Sequence, residues 1–134
     1  MQLHLKQEHL DAMRAHVEFH APLEACGLLA GKNNSVEKVL LIANQAQSPV
    51  RFRMDPAEQL KGFNWIESNE LDLLAIFHSH PAGPETVSVT DIVEAAYPVV
   101  QIIWSRPKGI WQARGFWIQD EQVSEVQLNV TGSE

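Results

Sequence analysis

The sequence predicts an α/β domain, one mixed β-sheet flanked by helices, with residues 1–134 forming a single unit. Three observations carry this. Strand-like and helix-like segments alternate along the chain. At least two strand pairs are joined by turns too short for a crossover connection, which argues against a purely parallel sheet. The chain's 134 residues, 45% hydrophobic and 20% charged, have ordinary globular composition and suit one domain.

Each element follows from local pattern. From about Gln7 to Phe19, Leu10, Met13 and Val17 recur at helical spacing, with Ala21 beyond, while Glu8, Asp11, Arg14 and Glu18 fall between them. This is an amphipathic helix closed by Pro22. Ala25 to Gly31 is a small, apolar run that reads as a buried strand; Lys32-Asn33-Asn34-Ser35 supplies a turn, and Val36 to Ala43 returns. Val50 to Met54 alternates apolar and basic residues, as a strand with one wet face would. Asp55-Pro56 is an N-cap followed by proline at the first helical position, and the helix runs to about Ser68 with Leu60, Phe63 and Ile66 on its buried face. Leu71 to Phe77 is nearly continuous apolar sequence, short for a helix and stopped by Pro81, so it is a central strand covered on both faces. Ser88 to Tyr97 reads as a short helix ended by Pro98, Val99 to Trp104 as a buried strand, Arg106 to Gly109 as a turn and Ile110 to Ile118 as the returning strand. Alternating Val126, Leu128 and Val130 give a last strand before a polar tail, Thr131 to Glu134.

Charge and cysteine content exclude several function classes. The formal charge is −7, with no Lys/Arg block, which argues against nucleic acid as a partner. Cys26 is the only cysteine, so neither a disulfide nor a Cys-rich zinc site can form within the chain. The opening residues Met1 to His9 lack the apolar centre of a signal peptide, and no apolar run approaches the ~18 residues of a membrane span. A cytoplasmic protein without membrane contact is the expectation.

The informative stretch is His78-Ser79-His80-Pro81-Ala82-Gly83-Pro84-Glu85-Thr86-Val87-Ser88-Val89-Thr90-Asp91. In a strand, residues i and i+2 face the same way, so His78 and His80 project together from the strand's end. The Pro/Gly loop then reverses the chain into a helix start, where Ser88 and Asp91 lie on one side of the first turn. Two histidines and one aspartate make a three-ligand site with a fourth position for water, the pattern of a catalytic zinc site, although mixed N/O ligation also suits iron or manganese. A metal there acidifies a water at neutral pH. Ser88 is placed to donate to an oxyanion; the base has to come from elsewhere in the chain.

His-x-His, seven residues, Ser, two residues, Asp resembles the signature of the JAMM (MPN-plus) metalloproteases without gap or slip. The segment Leu23-Glu24-Ala25-Cys26-Gly27-Leu28-Leu29-Ala30-Gly31 resembles the part of that family which carries its catalytic glutamate, after the first helix and before a small-residue strand. The resemblance covers most of the chain and implies a cytidine-deaminase-like core of the MPN type. It implies metal ligands at His78, His80 and Asp91, a general base at Glu24, an oxyanion donor at Ser88, and Zn2+ as cofactor. Val87 departs from the family, where many members have proline. The implied reaction is hydrolysis of an isopeptide or C-terminal peptide bond after the Gly-Gly tail of a ubiquitin-like or sulfur-carrier protein. At 134 residues the chain has little room for insertions and resembles the minimal prokaryotic type.

Two other readings are weaker. A non-catalytic MPN-type scaffold typically has lost metal ligands that this chain keeps. A nucleic-acid-associated protein like the RadC-type relatives fits poorly with the negative charge. Among the remaining residues, Ser79 reads as a hydrogen-bonding support on the opposite strand face. His16 and His20 read as part of a solvated helix face, and Cys26 as packing. The four tryptophans read mostly as core, with one or two left over to line a groove for an extended tail added as a strand.

Overall fold

The computed structural model describes residues 1–132; of the expected polar tail, Ser133 and Glu134 lie outside the described residues. Strand β1 (Gln2–Lys6) runs directly into helix α1 (Gln7–His20). Strands β2 (Cys26–Lys32) and β3 (Ser35–Ile42) form a hairpin, and helix α2 (Pro56–Ser68) leads into the central strand β4 (Asp72–His80). The short helix α3 (Val89–Val93) precedes β5 (Val100–Ser105), β6 (Gln112–Gln119) and β7 (Gln122–Thr131).

The strands form one mixed sheet in the order β1-β3-β2-β4-β5-β6-β7, which closes on itself where β1 pairs with β7. The mixed sheet with flanking helices matches the expectation; its closure was not anticipated. It depends on β1, a strand the sequence reading passed over. Leu3 and Leu5 are buried and their neighbours Gln2, His4 and Lys6 exposed, a two-residue period only five residues long. The strand joins α1 without a loop, and His9 Nδ1 accepts the Lys6 N–H at 3.0 Å.

Strand pleating sorts the two central strands into two cores. Leu29, Ala75 and Phe77 face α1 together with Met13, Val17, Ile102 and Trp104. Cys26, Leu28, Ala30 and Ile76 face the other way, with Ile42, Met54 and Ile66. Both faces of β4 are thereby covered, and His78 and His80 are buried at its end. No helix among the described residues is long and apolar enough to cross a membrane.

Other differences have local causes. Val50 to Met54 forms no strand; its one ladder contact is the bridge between Met54 and Asn44. Asp55 caps α2 as expected, accepting the Glu58 N–H at 3.0 Å. Leu60, however, is exposed, because the helix packs through Gly62 and Ile66 and a turn of about 100° per residue carries position 60 away from that face. Helix α3 ends at Val93, well before the expected Tyr97.

Gly27 shows why β2 is built of small residues. A Cβ there would lie 2.3 Å from the Phe77 ring and 2.5 Å from the Leu40 carbonyl oxygen, and the latter is backbone that cannot swing aside. Gly27→Ala is expected to cost about 3 kcal/mol of unfolding free energy, measured by chemical denaturation.

Candidate metal centre

The pleat of β4 delivers both imidazoles to one point. His78 Nε2 and His80 Nε2 are 3.1 Å apart. Asp91 Oδ1 lies 3.1 Å from the first and Asp91 Oδ2 3.1 Å from the second. Asp91 arrives on the opening turn of α3, where Ser88 is the N-cap: its Oγ accepts the Asp91 N–H at 3.0 Å, and Asp91 Oδ2 accepts the Ser88 N–H at 2.8 Å. One carboxylate thus both closes the capping box and faces the histidines. Between the two elements, Gly83 takes φ +85°, which suits glycine, and its N–H donates to the His80 carbonyl.

Glu24 comes from the opposite side of the β2–β4 pair. Cys26 is level with His78 in that register. One step on, Ser79 N–H donates to the Ala25 carbonyl at 3.0 Å and Ala25 N–H to Ser79 Oγ at 2.8 Å. Ser79 is therefore the hydrogen-bonding support expected of it. Carboxylate and imidazole atoms of Glu24, His78 and His80 lie within 4.8 Å of one another, and all three residues are buried.

The donor chemistry fits a metal ion. His80 Nδ1 lies 2.9 Å from the Pro84 carbonyl oxygen, which can only accept, so Nδ1 carries a proton. In the neutral ring Nε2 is then free to ligate, and in the protonated ring it donates to Asp91. Two imidazole nitrogens and a carboxylate converging at 3.1 Å form an N,N,O set whose spacing suits a small divalent ion. Donors bound tetrahedrally at zinc distances are separated by roughly 3.3 Å. The Pro84 bond also fixes the tautomer that leaves Nε2 free, the usual support of a ligating histidine.

The carboxylates and imidazoles are tuned in opposite directions. Burial raises Glu24 to about 7, with Asp91 adding to the rise and His80 opposing it. Burial pushes Asp91 up as well, but hydrogen bonds from His78 and His80 outweigh it and hold the carboxyl well below the usual range. Burial keeps His78 neutral, whereas at His80 the Asp91 and Pro84 bonds overcome burial and raise it. Cys26, behind Glu24, is pushed up to about 12 by burial, which accords with a packing role.

The structure brings together all five residues singled out in the sequence. It adds two that were missed. The Pro84 carbonyl is a backbone group that no motif displays. Phe52 stacks on His78 with ring centroids 4.2 Å apart; its signal was the alternation of Val50, Phe52 and Met54, read there as a strand. A cavity of about 330 Å³ opens beside the centre, bounded by Phe52, Arg53, His78, Asp91, Tyr97 and Gln101. Its aromatic walls are Phe52 and Tyr97, and none of the tryptophans. His16 and His20 are half-buried rather than solvated: His16 Nε2–H donates to the Cys26 carbonyl, and the two rings meet edge to face.

Comparison with known proteins agrees with this architecture. The family model described as prokaryotic homologues of the JAB domain matches residues 6–119. A desampylase of Pyrococcus furiosus is 41% identical over 111 residues, covering 81% of this chain and 76% of its own. A probable TtuB-protein conjugate cleaving protease of Thermus thermophilus is 42% identical over 96 residues, 71% of this chain and 64% of its own. A CysO-cysteine peptidase of Mycobacterium tuberculosis is 33% identical over 130 residues, 94% of this chain and 89% of its own. Among solved structures, a protein from Desulfitobacterium hafniense superposes with a TM-score of 0.87 at 33% identity, covering 98% of this chain and 94% of its own. A JAB1/MPN domain protein from Archaeoglobus fulgidus, at 14% identity and TM-score 0.64, covers 98% and 97% and shares the fold.

The raised Glu24 carboxyl links stability to pH. The folded protein holds this proton more tightly than the unfolded chain, so its contribution is full below pH 4.5 and is lost as pH rises through about 7. Glu24→Gln removes the buried charge. In protein stripped of metal, the variant is expected to gain on wild type as pH rises from 4.5, reaching about 3 kcal/mol above pH 7, read from unfolding curves across the pH range.

Proposed function

Because the chain belongs to the family of prokaryotic homologues of the JAB domain, we propose that it is a zinc metallopeptidase. The bond it hydrolyses is the isopeptide or C-terminal peptide bond following the Gly-Gly tail of a ubiquitin-like or sulfur-carrier protein. The observation that carries this reading is the convergence of His78, His80 and Asp91 at 3.1 Å with the Glu24 carboxylate buried beside them. The named relatives, a desampylase, a probable conjugate cleaving protease and a CysO-cysteine peptidase, support the substrate class. A scaffold has no need of an intact ligand set with a base at hand, so the catalytic reading is favoured.

His78 and His80 through Nε2 and Asp91 through its carboxylate would hold the zinc ion. When bound, the ion would lower the pKa of a water toward neutrality and polarise the scissile carbonyl. Glu24, raised to about 7 by burial, is poised to take the water's proton and pass it to the leaving amine. The Ser88 Oγ accepts from the Asp91 N–H, which leaves its own hydrogen free to donate to the developing oxyanion. Segment 50–54 and the end of α3 wall the cavity beside the centre, and an Arg51–Glu94 ion pair at 2.6 Å ties one wall to the other. A bridged cleft of this kind suits a slender tail of glycines.

Three variants test the assignment, with a carrier protein extended past its Gly-Gly end followed by intact mass and metal content by elemental analysis. Glu24→Gln is expected to keep the metal and lose hydrolysis by about 100-fold or more. Ser88→Ala is expected to lower kcat by about 100-fold and, as a lost cap, to cost about 1 kcal/mol of stability. His80→Ala is expected to lose the metal. Wild-type rates in Glu24→Gln remove Glu24 from the mechanism, and full metal occupancy in His80→Ala overturns the ligand set.

A further inference from the structure

Glu24 precedes β2, and its backbone groups are not part of the sheet. Its N–H donates to the Ser48 carbonyl at 2.8 Å, and its carbonyl accepts from Asn44 Nδ2 at 3.0 Å. Both partners lie on the loop between β3 and α2. The same Asn44 amide donates its second hydrogen to the Arg51 carbonyl at 3.1 Å. Its Oδ1 accepts the Ala46 N–H at 3.0 Å and the Arg53 N–H at 2.9 Å. An asparagine side chain offers two donor hydrogens and two lone pairs. All four are engaged here, three within the loop and one on Glu24.

The far end of this network is the wall of the cavity beside the metal centre. Arg51 and Arg53 flank Phe52, whose ring stacks on His78, and all three line the cavity. The bridge between Asn44 and Met54 and the Gln45 N–H bond to the Arg53 carbonyl, 2.7 Å, close the loop at its neck. A single side chain therefore spans from the residue that bears the base to the segment that faces the substrate.

We propose that Asn44 is a positioning residue that holds the Glu24 base and the cavity wall in one fixed relation. The proposal rests on the peptidase reading for the role of Glu24, while the tie is a property of the fold. Misplacing a reacting group by about 1 Å costs up to roughly 100-fold in rate, which is the scale on which such a tie acts. The metal ligands lie on β4 and α3, so the tie bears on the base and the wall and not on metal retention.

Two variants separate the parts. Asn44→Asp keeps an oxygen for the Ala46 and Arg53 N–H groups and loses both donors; Asn44→Ala loses everything. With zinc-loaded protein and an extended carrier substrate, Asn44→Asp is expected to lower kcat at least about tenfold with KM within about threefold and metal content unchanged. Hydrogen exchange is expected to quicken at the Glu24 amide, whose partner Ser48 lies on the loop that Asn44 fastens to the Glu24 carbonyl, and stay slow at the Arg53 amide. In Asn44→Ala both amides exchange faster and KM rises as well. Wild-type kcat in Asn44→Asp, or activity lost only in proportion to metal, overturns the proposal. If metal-loaded wild type leaves the carrier uncut, the peptidase reading fails on its own, and unchanged exchange at Glu24 in both variants then overturns the tie.

Discussion

Two hydrogen bonds between Ala25 and Ser79 hold the rest of the site in place. They join segments 54 residues apart in sequence, one bearing Glu24 and the other the histidines. The bonds work because of the pleat: with His78 and His80 turned to one face, Ser79 is turned to the other, where its hydroxyl can accept from the chain just before β2. That strand in turn lies close to its neighbours only because Gly27 has no side chain to meet Phe77 and Leu40. A small-residue run, a serine between two histidines and a glutamate before the run are thus one device for setting a buried carboxylate beside two imidazoles.

The same burial that makes the site useful would make it costly if its charges were alike. Asp91 and Glu24 are two carboxylates in one buried cluster, pushed in opposite directions. Asp91 receives both imidazoles and the Ser88 N–H and stays ionised. Glu24 responds mainly to loss of water and sits near neutrality. Environment, rather than residue type, sets the two carboxylates apart.

What the sequence displayed follows from how local each determinant is. His78, His80, Ser88 and Asp91 are spaced within a strand and one helical turn, and the capping of α2 by Asp55 is set within four residues, so all were legible. Glu24 was legible only through family likeness, because its partnership with the histidines depends on strand register. Leu60 was misplaced because Gly62, not a large side chain, marks the packed face of α2. The strand read at Val50 to Met54 does not form, since a ladder partner is a property of the whole sheet and not of the segment. The Asn44 network joins four residues through a side chain that, in sequence, is only a turn former.

The pairing of β1 with β7 sets Leu3 beside Leu128, residues that are 125 positions apart. The sheet cannot close before almost all of the described chain has been synthesised, so the hairpin of β2 and β3 and the β4–β5 unit must wait with open edges. Folding in which the decisive contact is also the most distant in sequence is intrinsically slow. Until the first strand is seated, β3 and β7 present unpaired backbone, the surface through which strands join other chains. In this fold, protection from such association comes last, and five residues supply it.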